Sequence, residues 1–327
     1  DAEECGAAAF HFRRCCKLNI LVTGGAGFIG SHLVRHLLAK GEKVTALDNL
    51  STGLAENLPP EAKLVEMDIL DEELPKVVAA GAFDAIVHLA AQTMVDTSIK
   101  DPLLDTRENL LGTVHVLEAA RAANVKRVIF ASTAAVYGDV KEDDLPVREA
   151  QPTEPMSFYG LSKLSVEKYL EMYRKIYGME YVVLRFANVY GERQGDGGEG
   201  GVISIFAKAV AEGRDITIYG DGEQTRDFVY AGDIAEGILA ALRTEEVNAA
   251  YNLSTQTETS LRELVSLLAE ICGREIVPKY GAEREGDIYK SMLSNSRARR
   301  GLDWQPATTL AEGLRRTYEY FCGKCEG

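Results

Sequence analysis

A tyrosine and a lysine that lie one helical turn apart can act together in proton transfer. Tyr159 and Lys163 have this spacing at the start of a long amphipathic segment, residues 159–177, which we predict to be a helix. Side chains four residues apart share one face of a helix, so the Lys163 ammonium is expected beside the Tyr159 phenol. A neighbouring positive charge lowers the pKa of a phenol from its ordinary value of about 10. We therefore expect Tyr159 to act as a general base near neutral pH.

Two further pairs with the same spacing, Tyr137 with Lys141 and Tyr320 with Lys324, lack that context. In the first pair, Tyr137 is followed directly by a predicted loop that begins with Gly and Asp. The second pair lies near the C-terminus, where we predict a frayed end. Neither is expected on one face of a helix. The strand predicted before the 159–177 helix ends at Thr133, whose hydroxyl can relay a proton or hold a substrate oxygen.

A glycine-rich turn joins the first predicted strand, residues 18–23, to the first predicted helix, residues 27–40. Gly24, Gly27 and Gly30 form a G-x-x-G-x-x-G variant of the dinucleotide-binding fingerprint. The chemistry requires a tight turn, close backbone approach to a pyrophosphate, and close packing of helix on strand, and the helix N-terminus then supplies amide donors. The strand–turn–helix context supports a dinucleotide site.

An acidic residue, Asp48, ends the second predicted strand, 18 residues beyond Gly30. Such a carboxylate accepts hydrogen bonds from the adenosine ribose hydroxyls and repels a 2′-phosphate. No Arg or Lys follows before Lys63, so NAD is favoured over NADP, although Asp48 also fits an ordinary turn at a strand end. Asp68, at the end of the third strand, is a candidate for the adenine edge. The charge of a bound nicotinamide is expected to add to that of Lys163 in lowering the Tyr159 pKa.

The elements that must position these residues alternate between short apolar strands and longer amphipathic helices. Continuous apolar strands separated by helices are typical of a parallel sheet covered on both faces, so we predict a doubly wound, Rossmann-like α/β fold. The predicted strands are 18–23, 43–48, 62–68, 84–89, 127–132 and 181–186, and the helices are 27–40, 103–123 and 159–177.

After Asn188 the pattern loosens, and we predict a smaller C-terminal substrate domain that interleaves with the first. Residues 216–230 are predicted as two short strands around a turn, and helices are predicted at 203–212, 231–243, 261–272 and 310–320. The predicted division is 1–16 as an extension or tag, 17–187 as an NAD-binding domain with a contribution from about 226–250, and 188–327 as a nucleotide-sugar-binding domain.

The composition limits the partners. The 36 basic and 50 acidic residues give a formal net charge of -14, which argues against a nucleic-acid binder. No run approaches the roughly 20 apolar residues that span a bilayer, and residues 1–16 lack the features of a signal peptide. The six cysteines form no disulfide framework, and their pattern predicts no metal site. We expect no membrane partner and a cytoplasmic location.

Taken together, the motifs are similar to those of the extended short-chain dehydrogenase/reductase family. The resemblance covers residues 18–322 and rests on "ILVTGGAGFIGSHL", "DNLSTG", "AIVHLAA", "FASTAAVYGD", "YGLSK", "LRFANVYG" and "GDGEQTRDFVY". It implies that Thr133, Tyr159 and Lys163 are catalytic. It also implies NAD contacts from Gly24, Gly27, Phe28, Ile29, Gly30, Asp48, Asn49, Asp68, Ile69, Leu89, Ala90, Ala91, Gln92, Tyr159 and Lys163.

The resemblance further implies a UDP-sugar substrate. It assigns Asn188 to the UDP phosphates, Arg226, Arg284 and Asp287 to the diphosphate and the uridine ribose, and Tyr219 to a wall near the uracil. Arg guanidinium groups suit phosphate oxygens. Thr93 and Thr133 complete the expected substrate contacts, and Thr93 stands where some members of the family have Lys.

The residues after Thr133 indicate which reaction to expect. Family members that eliminate water carry an acidic pair directly after this threonine, whereas this chain has Ala134 and Ala135. Oxidation and re-reduction at C4 is then the simplest chemistry. The sequence predicts 4-epimerisation of a UDP-hexose, UDP-glucose or UDP-galactose, through a transient 4-keto sugar.

Alternatives stay open at this point. Arg193 is placed where it can face a C6 carboxylate, which favours UDP-glucuronate as the substrate. Ser291 stands where a bulky residue can restrict 2-acetamido sugars, so a small residue there also permits UDP-N-acetylglucosamine. A non-catalytic NAD-binding sensor on the same fold is the alternative from another class. The resemblance also implies a homodimer, formed by helices 103–123 and 159–177.

Overall fold

The structure, a computed structural model, describes residues 17–195, 200–283 and 288–325. The predicted extension, residues 1–16, lies outside the described residues.

A seven-stranded parallel sheet forms the centre of the fold, in the order β11-β6-β5-β4-β1-β2-β3. The predicted doubly wound α/β fold is confirmed, and the six predicted strands are present. The seventh strand, β11, was not predicted as a strand. The sheet strands are β1 (Asn19–Thr23), β2 (Lys43–Asp48), β3 (Lys63–Glu66), β4 (Ala85–His88), β5 (Arg127–Thr133), β6 (Glu180–Phe186) and β11 (Ala249–Leu253).

Helices cover both faces of this sheet. Successive residues of a strand point to opposite faces, so Ile20 and Val22 pack in the core under α1 and α8, while Leu21 packs in the core under α2, α5 and α6. The helices are α1 (Phe28–Ala39), α2 (Leu74–Gly81), α3 (Val95–Lys100), α4 (Pro102–Asp105), α5 (Gly112–Ala122), α6 (Phe158–Tyr177), α7 (Val202–Ala211), α8 (Ala231–Arg243), α9 (Leu261–Cys272), α10 (Ser296–Gly301) and α11 (Leu310–Cys325).

The helix predicted over residues 103–123 consists of three parts. Helix α4 is followed by a π-helical segment, Thr106–Leu111, which runs into α5. A π-helical turn has a wider backbone hydrogen-bond ring than an α-helix and is frequent at functional sites. The apolar periodicity of the sequence does not distinguish the two kinds of turn, so the prediction of one continuous helix was wrong in this detail.

A second core lies between α7, α9 and α11, with Phe206, Leu264 and Leu314 at its centre. Short two-stranded sheets adjoin it. The prediction of two strands around a turn within residues 216–230 was wrong, because three short strands form there and each pairs with a distant segment. The pairs are β7 (Asn188–Tyr190) with β10 (Phe228–Tyr230), β8 (Thr217–Tyr219) with β13 (Lys279–Gly281), and β9 (Thr225–Arg226) with β12 (Thr259–Ser260).

Within the described ranges, none of the helices is both long and apolar enough to cross a bilayer.

Candidate active site

A cavity of about 720 Å³ opens at the carboxyl ends of β1, β2, β4 and β5 and extends to residues of the second core. Ligands of open α/β sheets bind at this edge. Predicted residues from both parts of the chain line it, namely Gly24, Gly27, Phe28, Ile29, Gly30, Asp48, Asn49, Asp68, Ile69, Leu89, Ala90, Ala91, Gln92, Thr93, Thr133, Tyr159, Lys163 and Asn188.

Each of the three positions of the fingerprint is occupied by glycine for a different physical reason. Gly24 has a φ of +69°, and a Cβ atom there would lie 2.7 Å from the backbone N of Ala90. A Cβ atom on Gly30 would lie 2.0 Å from the carbonyl oxygen of Gly24, so helix α1 packs directly on the turn. At Gly27 the only atom that a Cβ would approach within 4 Å is that same oxygen, at 3.3 Å. The contact at Gly27 is therefore tight but much less severe than that at Gly30, and α1 begins after Gly27 without a side-chain cap.

This turn fits a pyrophosphate. The first amides of α1 have no intrahelical acceptor, and the helix dipole favours an anion at this end. Gly27 lines the cavity, so an anion can approach the backbone there more closely than a side chain would permit.

Asp48 has a structural role of its own. Its two carboxylate oxygens accept hydrogen bonds from the backbone N–H groups of Ala26 and Leu50, both at 2.9 Å. A carboxylate has about four acceptor positions, so Asp48 keeps acceptor capacity toward the cavity that it lines. Beside it, the amide of Asn49 donates to the carboxylate of Asp68 at 2.8 Å. Both predicted roles of Asp48, as a turn residue and as an acceptor for the ribose hydroxyls, are compatible with this geometry.

Tyr159 lies in the first turn of α6, which Ser157 caps by accepting a hydrogen bond from the Gly160 N–H at 3.1 Å. Burial raises the pKa of Tyr159 to about 12, a hydrogen bond with Thr133 lowers it in part, and the Asp105 carboxylate raises it. The expectation that Lys163 lowers this pKa is wrong for the protein alone. Desolvation outweighs the other effects, and the Asp105 carboxylate adds to it.

Lys163 is buried, one turn further along α6. Its ammonium donates a hydrogen bond to the carbonyl oxygen of Ala131 at 3.0 Å and lies 4.9 Å from the centre of the Phe130 ring and 5.9 Å from that of Tyr159. Burial lowers the pKa of Lys163 to about 8, and Asp105 opposes that shift. The site thus holds a lysine that changes charge near neutral pH beside a phenol and a hydroxyl.

The wall beside this pair is formed by residues after β4. The Gln92 backbone N–H donates to the side-chain oxygen of Asn109 at 2.8 Å, and the Asn109 amide donates back to the Gln92 carbonyl at 2.9 Å. Asn109 lies in the π-helical segment, so this segment positions the cavity wall.

The predicted substrate residues are brought together only in part. Thr93 and Asn188 line the large cavity, whereas Tyr219 lines a separate pocket of about 180 Å³. Arg226, on β9, lines neither of the two. Arg284 and Asp287 lie outside the described residues.

Two residues that the sequence suggested for sugar selection are not at the cavity. Arg193 donates from Nε to the hydroxyl of Ser31 at 3.0 Å, so its guanidinium contacts helix α1 and the expectation that it faces a C6 carboxylate is wrong. Ser291 does not line either described pocket.

Sequence reasoning missed the N-terminus of α7 as part of the site. Helix α7 begins after Gly201, which makes no side-chain cap, and Gly200, Gly201, Val202 and Ile203 line the cavity. Its amides and dipole suit an anion. The signal was present, because a glycine-rich stretch directly before an amphipathic helix is the context that identified the first phosphate-binding turn.

The other two Tyr-x-x-x-Lys pairs lie away from the cavity. Tyr137 is buried and donates to the Asn252 side chain at 2.7 Å. Tyr320 and Lys324 both lie within α11, with the ammonium 5.0 Å from the ring centre, so the expected frayed end was wrong. Neither pair lines the cavity, as predicted.

Comparison with known proteins agrees with this geometry. The family model described as "NAD dependent epimerase/dehydratase family" matches residues 20–254. The chain belongs to this family.

Individual members of the epimerase/dehydratase family are similar over nearly the whole chain. UDP-glucose 4-epimerase of Mycolicibacterium smegmatis is 41% identical over 315 residues, which cover 94% of this chain and 100% of the relative. The structure of UDP-glucose 4-epimerase with UDP-glucose from Thermotoga maritima is 41% identical with a TM-score of 0.91, covering 94% and 100%. UDP-N-acetylglucosamine 4-epimerase from Methanobrevibacter ruminantium M1, in complex with UDP-N-acetylmuramic acid, is 34% identical with a TM-score of 0.89, covering 94% and 99%.

The family name covers epimerases and dehydratases. The positions of the acidic residues in the cavity help to distinguish these two reactions. The described residues that line it include three carboxylates, Asp48, Asp68 and Glu108. Asp68 accepts from Asn49 beside the end of β2, and the charge of Asp68 raises the pKa of Glu108, after burial. Asp48 and Asp68 therefore lie beside the end of β2, and Glu108, in the π-helical segment, is near enough to Asp68 to be affected by its charge. Next to Thr133, a short 3-10 turn carries Ala134 and Ala135 instead of acids.

Proposed function

We propose that this chain is an NAD-dependent 4-epimerase of a UDP-hexose, with UDP-glucose and UDP-galactose as its substrate pair. One observation carries the choice within the family. Thr133, Tyr159 and Lys163 all line the cavity, Thr133 is hydrogen-bonded to the phenol, and the turn directly after Thr133 carries Ala134 and Ala135 and no acid. A dehydratase needs an acid beside the reacting sugar for elimination, and an epimerase needs only an acid–base group and a hydride acceptor.

The cavity residues fit NAD. The glycine turn provides the cradle for its pyrophosphate, and Asp48 has acceptor capacity for its ribose. Bound NAD would supply the hydride acceptor for oxidation at C4 of the sugar and, once reduced, the hydride for re-reduction at the opposite face.

The residues of the chain then handle the proton. Tyr159 takes the proton of the sugar 4-hydroxyl and later returns it, with Thr133 hydrogen-bonded to the phenol and able to hold the same oxygen. Lys163, fixed on Ala131, supplies a positive charge beside the phenolate that forms. Burial holds the pKa of Tyr159 at about 12 in the protein alone, and the positive charge of a bound nicotinamide ring would lower it.

The UDP part is proposed to bind across the second core. Asn188 and the N-terminus of α7 line the cavity and suit the diphosphate. The pocket at Tyr219 suits the uracil, with Arg226 on the neighbouring strand β9. Firm binding of UDP, with few polar groups around the hexose, permits the 4-keto sugar to turn between the two hydride transfers.

We also propose a homodimer formed by the outer faces of α3, α4 and α6. Large apolar side chains are exposed there, including Leu103 at 79% and Ile176 at 60%. Leu161 and Met172 on α6 are also about half exposed. Contiguous apolar surface of this kind marks a protein interface, and these helices adjoin the catalytic pair. A cytoplasmic location stays a prediction.

The test is direct. The purified protein, without added reductant, is incubated separately with UDP-glucose, UDP-galactose, UDP-N-acetylglucosamine and UDP-glucuronate, and the anomeric signals are followed by NMR. Interconversion of UDP-glucose and UDP-galactose is the expected result. Turnover restricted to the N-acetylated or the uronic acid sugar would replace the proposed substrate, and interconversion of none would overturn the proposed function.

A further inference from the structure

Asp105 is a fully buried carboxylate at the junction of α4 and the π-helical segment. Its Oδ1 atom accepts two hydrogen bonds, from the side-chain amides of Gln92 and Asn109, both at 2.9 Å. Its Oδ2 atom is buried and meets no hydrogen-bond donor among the described residues. A buried carboxylate with one unsatisfied oxygen is destabilising unless a nearby positive charge offsets it, so the position of Asp105 requires a physical reason.

The network around Asp105 connects the cavity wall to the catalytic helix. Asn109, held by Asp105, makes the two reciprocal bonds to the Gln92 backbone described above, and its amide also lies 3.4 Å from the hydroxyl of Ser162. Ser162 is the residue directly before Lys163 on α6. Asp105 thus fixes the wall that Gln92 presents to the cavity and contacts, through Asn109, the helix that carries the catalytic pair.

Asp105 is also the acid whose charge reaches both catalytic groups. It acts electrostatically on Tyr159 and on Lys163, and in both cases its effect raises the pKa. Besides Tyr159, His88 on β4 is a titratable group that faces Lys163, and burial lowers its pKa to about 3, so that it is neutral near pH 7. Glu167, on the same helix, is ion-paired with Arg185. The negative charge of Asp105 therefore has Lys163 as its counter-charge.

We propose that Asp105 is a positioning residue of this site, which holds the Gln92–Asn109 wall in place and balances the charge of the Lys163 ammonium. The proposal rests on the proposed function for the part that concerns turnover. It assigns to Asp105 no contact with substrate or cofactor, since its effect passes through Lys163 and Gln92.

The first test measures Lys163 itself and needs no turnover. Trace labelling with acetic anhydride at a series of pH values, read by mass spectrometry of the peptide that contains Lys163, gives the pH at which this amine becomes reactive. Asp105→Asn keeps an acceptor for Gln92 and Asn109 and removes the charge. We expect its labelling midpoint to move down by about 1 pH unit, the lower end of the effect of an opposite charge.

Asp101→Asn is the matched control. Asp101 is exposed, four residues earlier, and caps α4 by accepting from the Leu104 N–H, a role that Asn fulfils equally well. Its labelling midpoint is expected to match that of the unmodified protein. An unchanged midpoint in Asp105→Asn, or an equal shift in Asp101→Asn, would overturn the electrostatic part of the proposal.

The second test uses the epimerase reaction. A shift of about 1 pH unit from a midpoint near 8 gives Asp105→Asn roughly five-fold lower turnover at pH 8 and nearly normal turnover at pH 6.5. Asp105→Glu keeps the charge and is expected to keep the normal alkaline midpoint, even if its longer side chain lowers turnover at every pH. If Asp105→Asn lost the same fraction of turnover at both pH values, the role of Asp105 would be structural and its charge would not affect the reaction.

The two proposals fail in different ways. If the unmodified protein converts no UDP-sugar, the proposed function fails while the labelling midpoint still reports on Asp105. If the unmodified protein is active and the midpoint does not move, only the role of Asp105 fails.

Discussion

The Lys163 ammonium donates its hydrogen bond to the carbonyl oxygen of Ala131, with 3.0 Å between the two atoms. Ala131 lies on β5, two residues before Thr133, so this bond ties α6, which carries Tyr159 and Lys163, to the strand that ends at Thr133. The distance between Tyr159 and Thr133 is thereby fixed by the scaffold and not by two separate loops. Sites held by rigid elements keep the geometry that proton transfer requires.

Replacement of Tyr159 by Phe is expected to remove the proton-transfer group and to leave the ring in place. General acid–base catalysis contributes about 10²–10⁴-fold, so turnover of UDP-glucose should fall by at least about 10²-fold. NAD binding, measured by calorimetry, should change little, because the glycine turn and Asp48 are untouched. Turnover near that of the unmodified protein would contradict the assignment of Tyr159 as the base.

Turnover is expected to decline on the alkaline side with a midpoint near pH 8. Burial lowers the pKa of Lys163 to about 8, so the positive charge beside the phenol is lost as the pH rises through this value. The measurement is kcat/KM for UDP-galactose from pH 6 to 9.5 in buffers of constant ionic strength. A profile that stays flat to pH 9.5 would show that the charge of Lys163 does not limit the reaction in this range.

The parts of the site that depend on local spacing were predictable from the sequence. Gly24, Gly27 and Gly30 are separated by fixed steps in one turn, and Tyr159 and Lys163 by one turn of one helix, so a linear pattern encodes their geometry. The parts that depend on burial or distant pairing were not. The pKa of Tyr159 depends on desolvation by many elements, and Asp105 reaches the site through a π-helical segment whose apolar pattern resembles that of an α-helix.

Arg193 is a residue for which the sequence predicted a contact that the structure does not contain. Its place after β7 suggested a contact with the sugar, yet it has a φ of +66° and its side chain contacts Ser31 on α1. The backbone conformation of a loop residue determines the direction of its side chain. A positive φ is uncommon for residues other than Gly and Asn, so the sequence provides no reason to expect one at Arg193.

Two alanine substitutions in the glycine turn should separate folding from cofactor binding. In Gly30→Ala the new Cβ would be 2.0 Å from the Gly24 carbonyl oxygen, so the helix must move, at a cost of about 3 kcal/mol or more. In Gly27→Ala the Cβ would lie 3.3 Å from the same oxygen, a tight contact that a small shift relieves, and stability should change by about 1 kcal/mol or less.

The expected difference lies in binding. Gly27→Ala places a methyl group where a pyrophosphate approaches the backbone, so its NAD affinity should fall more than about ten-fold while urea unfolding stays close to normal. Normal NAD affinity in a folded Gly27→Ala protein would show that the cofactor does not approach this residue.

His88 should give the protein a stability that declines with acid. Its ring is buried between two threonines, with Nδ1 2.6 Å from the Thr23 hydroxyl and Nε2 2.9 Å from the Thr113 hydroxyl. Burial, and secondarily the charge of Lys163, lowers the pKa of His88 from 6.5 to about 3. Between those two values the unfolded chain binds a proton that the folded chain does not, so the full contribution to stability is present above about pH 6.5 and is lost progressively below it.

At pH 5 the loss from this one histidine is about 2 kcal/mol, since each pH unit below 6.5 costs about 1.4 kcal/mol. His88→Gln keeps polar atoms near one of the two threonines and does not titrate. We expect it to be less stable than the unmodified protein at pH 7.5, with a difference in free energy of unfolding that is smaller by about 2 kcal/mol at pH 5. Urea unfolding at the two pH values measures both quantities. His32, whose pKa burial lowers to about 4, contributes a similar acid loss in both proteins and cancels from the comparison. An equal difference at pH 7.5 and pH 5 would mean that His88 carries its proton in the folded protein, and the buried positive charge would then have to be balanced next to Lys163.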